Sequence, residues 1–165
     1  EMALSYPDVV DRMILVGTGM GGSRSAKLSK PFWEKVAAEI AGKMPEQVYR
    51  IDMTLMTAPG FVQQHPDILD KSVSLRMKNP QPLYAFLRQF AAASVFDINH
   101  LAQNISQPVL IILADQDPIF PIPLAEDYKK ALPRAKMIIY ENCGHAIPLE
   151  KPNRLSGDIR EFLLG

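Results

Sequence analysis

The chain is 165 residues long, 47% hydrophobic and 22% charged, which is enough for one domain with a real core. Lys and Arg number 18 and so do Asp and Glu, and no basic run stands out, which argues against a nucleic-acid partner. No apolar run reaches the roughly 18 residues of a membrane span. The single cysteine excludes an internal disulfide and points to a cytoplasmic setting.

The opening EMALSYP reads as the tail of a helix already under way, stopped by Pro7, because the residue before a proline is pushed out of the helical region. Met13-Ile14-Leu15-Val16 is a short apolar run bounded by Gly17, the pattern of a buried strand. GTGMGGSRS then reads as a glycine-rich loop. From Ala26 to His100 the composition changes. KPFWEKVAAEIAG, PEQVYRIDMTLM, DILDKSVSLRMK and PLYAFLRQFAAAS each carry apolar residues at helical spacing and are separated by Pro, Gly or Asn. This stretch reads as a helical subdomain. From Gln107 the pattern becomes strand, helix, strand, helix: QPVLIILAD, IPLAEDYKKALP, AKMIIYEN and PNRLSGDIREFLLG. Such alternation predicts a parallel α/β sheet, whose ligands and chemistry gather on the loops after the strand carboxyl ends.

Two of those loops hold titratable residues. LADQDPIFP carries Asp115 and Asp117, and NCGHAIP carries His145. In a parallel sheet with one intervening helix they emerge on the same edge. An Asp and a His so placed can form the pair in which a carboxylate orients an imidazole that deprotonates a nucleophile. Taken singly, each has an ordinary structural reading: Gln-Asp-Pro is turn chemistry, and a lone loop histidine is usually structural. No metal-ligand spacing is present, since His65, His100 and His145 are far apart and neither an H-x-x-x-H nor a paired-Cys pattern occurs.

PVLIILADQDPIFPIPLAEDYKKALPRAKMIIYENCGHAIPLEKPNRLSGDIREFL resembles the carboxy-terminal part of an α/β-hydrolase. ALSYPDVVDRMILVGTGMGG is similar to that family's segment just after the nucleophile-bearing helix. The resemblance implies a partial α/β-hydrolase parallel sheet with flanking helices and an inserted helical cap. It divides the chain into core strand and Gly-rich loop (1–25), helical cap (26–100) and a core part carrying the acid and base loops (101–165). It implies Asp117 as triad acid and His145 as triad base, with Asp115 the lesser candidate for the acid. Ala114 stands where the family usually has Gly.

The family's nucleophile sits on a strained strand-to-helix turn, Gly-x-Ser-x-Gly, and that motif does not occur in these 165 residues. Ser23 in GGSRS has Ser25 where Gly is needed and reads as part of a flexible entrance to the cap. Gly19 in GTGMGG has the shape of an elbow lacking its serine. Cys143 lies too close to His145 on one short loop to aim its sulfur at the ring. The resemblance therefore implies the carboxy-terminal portion of a serine hydrolase acting on ester-like or other small carbonyl substrates without metal or cofactor. On this reading the chain alone is inactive and poorly stable. Trp33, Phe86 and Phe90 are the candidate lining of an apolar substrate pocket, the alternative being that they pack cap helices on one another. Competing readings are a dehalogenase or epoxide hydrolase with an Asp nucleophile, a carbon–carbon bond hydrolase, a cofactor-free peroxidase, and a non-catalytic binding protein on the same fold.

Overall fold

Strand Val109–Ala114 is the most apolar run in the second half of the chain, and every one of its six residues is buried. A strand hidden on both faces needs partners on both sides, and a computed structural model, which describes residues 1–165, supplies them. Three parallel strands pair in the order β1 (Met13–Val16), β2 (Val109–Ala114), β3 (Lys136–Tyr140). Met13 aligns with Val109, and Leu110 aligns with Lys136.

Side-chain alternation sends the two halves of β2 into different cores. Val109, Ile111 and Leu113 pack with Met20, Ala102, Ile105, Ala125, Tyr128 and Leu132. Leu110, Ile112 and Ala114 pack with Tyr140, Cys143, Ile147 and Leu155. Each large side chain withdrawn in this way contributes about 1.5–3 kcal/mol. The helices covering the sheet are α7 (Ala125–Ala131) on the first face, and α8 (Ile147–Glu150) and α9 (Pro152–Leu164) on the second.

Between β1 and β2 the chain runs mainly through helices, α2 (Gly22–Ile40), α3 (Pro45–Met56), α4 (Phe61–Gln64), α5 (Pro66–Lys78) and α6 (Leu83–Val95), before a longer irregular stretch returns it to β2. A short helix α1 (Met2–Ser5) precedes the sheet. Helix α3 starts where Pro45 fits the first turn and the Met44 N–H finds Gln47 Oε1 at 3.0 Å. Helix α3 packs on both α2 and α5, and α6 lies against α2. The stretch GSRS, expected as loop, is instead the first turn of α2, which carries on through Pro31. Proline suggests a helix start at sequence level, but here the helix tolerates an exposed mid-helix proline at the loss of one backbone hydrogen bond.

The segment leaves and re-enters the sheet region at one place. The Gly22 N–H donates to Phe96 O, the Ile98 N–H to Met20 O, and Gly21 bridges Asp97. The Tyr128 hydroxyl donates to Thr18 O at 2.8 Å, tying the loop after β1 to α7.

Candidate active site

Both loops singled out by the sequence leave the same edge of the sheet, because β2 and β3 run parallel and end at Ala114 and Tyr140 in matched register. Asp117 follows β2 and is 4% exposed. Its Oδ1 accepts the backbone N–H groups of Ile119 (2.8 Å) and Phe120 (2.9 Å). That turn leaves Oδ2 for one partner, the Nδ1 of His145, at 3.0 Å. A carboxylate only accepts, so Nδ1 is the donor, and in the neutral ring this tautomer leaves the lone pair on Nε2. The structure records no intrachain hydrogen bond at Nε2, and about a quarter of the His145 side chain, 27%, remains exposed. The arrangement is that of a base held by its far nitrogen with its near nitrogen open, which suits proton abstraction.

Two neighbours complete the surroundings, and neither was singled out by sequence reasoning. Gly17, at the end of β1, is buried with φ +50°, and a Cβ there would lie 3.6 Å from both Asp117 Oδ2 and His145 Nδ1. Its position immediately after an apolar strand is the signal that could have found it. Phe120, from the Asp117 loop, lays its ring 5.7 Å from the imidazole.

The His145 loop has a partner for every amide. Asp115, the lesser candidate for the acid, does not reach the imidazole. Its carboxylate accepts from the N–H groups of Asn142 (3.1 Å) and Cys143 (3.2 Å) instead. Glu150 accepts from Gly144, and Met56 O accepts from His145 and Ala146. Cys143 is fully buried, and burial pushes its thiol up to about 12, with Glu150 adding to the effect. A thiol held protonated is a poor nucleophile.

Ser23 is exposed in the first turn of α2 and makes no hydrogen bond to His145. Gly19 lies in the loop after β1, where a Cβ would fall 2.7 Å from the Phe120 ring. Trp33, Phe86 and Phe90 come together, but on one another. Trp33 meets Phe32 and Phe90 edge-on at 5.0 and 5.2 Å, and Phe86 stacks on Phe90 at 6.0 Å. Phe86 and Phe90 are each 42% exposed. The aromatic ring beside the imidazole is Phe120.

A family model described as alpha/beta hydrolase fold matches residues 1–152. Among curated proteins, the chain is 24% identical to a pimeloyl-acyl-carrier-protein methyl ester esterase of Vibrio vulnificus, with 98% of this chain and 64% of that protein aligned. It is 21% identical to a 2-hydroxy-6-oxononadienedioate/2-hydroxy-6-oxononatrienedioate hydrolase of a Pseudomonas species, covering 99% of this chain and 58% of that protein. Among solved structures, an alpha/beta hydrolase enzyme from a Medee basin deep-sea metagenome library superposes with TM-score 0.78 at 22% identity, covering 99% of this chain and 59% of that one. The chain thus spans about three-fifths of the length of the proteins it matches.

Proposed function

The chain belongs to the alpha/beta hydrolase fold family, and on that premise we propose that Asp117 and His145 are the acid and base of a Ser-Asp-His triad whose nucleophile lies outside these 165 residues. The observation that carries the reading is the 3.0 Å bond from His145 Nδ1 to a buried carboxylate whose other oxygen is already held by two amides. In this mechanism His145 Nε2 takes the serine proton as the oxygen attacks a carbonyl carbon. Asp117 holds the ring in the productive tautomer and stabilises the imidazolium, and the same imidazolium then protonates the leaving group. Water, deprotonated by His145, releases the acyl group. None of these steps requires a metal or cofactor.

Ester-like and other small carbonyl substrates fit this chemistry. The relatives are named for a methyl ester and an oxo-dienedioate, and esters and oxo groups share an electrophilic carbonyl carbon. Residues 26–100 are assigned the role of cap, supported by the adjacency of the points where the segment leaves and returns. Trp33, Phe86 and Phe90 are assigned to the apolar side of the substrate site, supported by their clustering and by the exposure of Phe86 and Phe90.

The test has two parts. The coding sequence upstream of Glu1 is read for a strand leading into Gly-x-Ser-x-Gly. The protein carrying that segment is then assayed on short p-nitrophenyl esters with Asp117→Asn and His145→Ala. Asp117→Asn is expected to lower kcat by about 10⁴-fold and His145→Ala by about 10⁶-fold. An Asp at the motif's centre would turn the assignment towards dehalogenase or epoxide hydrolase chemistry, and full activity in His145→Ala would end the reading.

A further inference from the structure

The loop that carries His145 is gripped from two directions. From the sheet side, Asp115 holds Asn142 and Cys143. From the helical side, the end of α3 comes directly against the loop. The N–H groups of His145 and Ala146 both donate to Met56 O, at 2.6 and 3.3 Å. The approach leaves no space, since a Cβ on Gly144 would lie 2.5 Å from the carbonyl carbon of Thr57 and 2.6 Å from Ala58 N.

Glu150 closes this junction. Its Oε2 accepts the Ala58 N–H at 2.9 Å, and both its oxygens accept the Gly144 N–H at 3.0 Å. Gly144 and Ala58 are themselves buried, so neither amide has water to fall back on. A carboxylate suits this place because it carries two oxygens and no donor, and so can serve amides from two separate segments at once.

We propose that Glu150 is a positioning residue, a carboxylate strap that fastens the His145 loop to Met56–Ala58 so that the helical segment helps set the seat of the imidazole. The inference rests on the assignment of His145 as base. It adds that the base is referenced to two bodies: Asp117 fixes the ring from the sheet, and Glu150 fixes the backbone beneath it from the helical side. A shift of the end of α3 therefore reaches His145 through hydrogen bonds that involve no substrate.

The strap is tested on the full chain with ¹⁵N-histidine labelling, comparing wild type with Glu150→Ala and Glu150→Gln. In wild type the Nδ1–H of His145 gives a resolved, slowly exchanging signal. In Glu150→Ala that signal broadens or vanishes, and exchange of the Gly144 and Ala58 amides rises about tenfold or more, while the β2 amides stay protected. Glu150→Gln keeps one acceptor oxygen and turns a donor towards the other amide, so it falls between the two. Should Glu150→Ala unfold, the same comparison is made with Glu150→Gln alone. If amide exchange quickens but the Nδ1–H signal is unchanged, Glu150 is merely structural and the strap is overturned, while the Asp117–His145 assignment stands. If wild type itself shows no protected Nδ1–H, the assignment of the pair fails and the strap goes with it.

Discussion

Gly144 and Gly157 make opposite predictions from the same substitution. At Gly144 an added methyl meets backbone atoms of Thr57, Ala58 and Met56, which cannot swing aside. Gly144→Ala is expected to destabilise by about 1–3 kcal/mol or more, measured by urea denaturation. At Gly157, inside α9, the same methyl meets nothing within 4 Å. Gly157→Ala is expected to stabilise by about 0.5–1 kcal/mol through helix propensity alone. Cys143 gives a chemical test. With its thiol buried and pushed up to about 12, the native chain should react negligibly with a thiol reagent at neutral pH and fully once denatured. The sequence pointed to Asp117 and His145, which the structure brings within hydrogen-bond distance, because their signal is local: an acid and a histidine after successive apolar strands. It also pointed away from Asp115, whose carboxylate is spent on two loop amides. The role of Glu150 was not legible, because part of what it touches is distant in the chain. Glu150 meets Ala58 across a helical segment whose docking no spacing rule foretells.

Among the elements, β2 carries the most. Ile112 is fully buried between β1 and β3, and Ile112→Ala is expected to lose about 2–5 kcal/mol. Ile139 on β3 is 41% exposed, and Ile139→Ala should lose less than about 1 kcal/mol. Equal losses in the two urea curves would contradict the sheet order. The strands and the long helices were readable because each presents a sustained period with Pro, Gly or Asn at its ends. PEQVYRIDMTLM, for instance, coincides with α3 as found. What was not readable is short or masked by a competing signal. Helices α4 and α8 are single turns without room for a period. The start of α2 was hidden because glycine and serine spell loop, although the turn here is fixed by Gly22 bonding back to Phe96.

At the scale of the whole molecule, apolar surface is unevenly placed. Leu83, Tyr84, Phe86, Leu87, Phe90 and Val95 are all exposed along α6, and β1 and β3 are both edge strands. The chain is expected to self-associate at micromolar concentration by light scattering, and Leu87→Lys should reduce this without lowering the melting temperature. Stability should also fall on the alkaline side. Burial raises Cys143 from 9.0 to about 12 and lifts Tyr128 and Tyr140 well above their ordinary 10.0. Between those limits the folded chain holds protons that the unfolded chain has released, so the contribution is whole below pH about 9 and is lost as pH climbs from there. The urea midpoint followed against pH checks it, and a midpoint flat through that range would contradict it. The sheet also has a history implied by its connectivity. Strands β2 and β3 are joined by one short helix, whereas β1 reaches β2 only across the whole of α2 to α6. Closing the longer loop is entropically the harder event. During folding the β2–β3 unit, which carries Asp117 and His145, should therefore assemble before β1 docks, so these two side chains can be brought together while Gly17 is still distant.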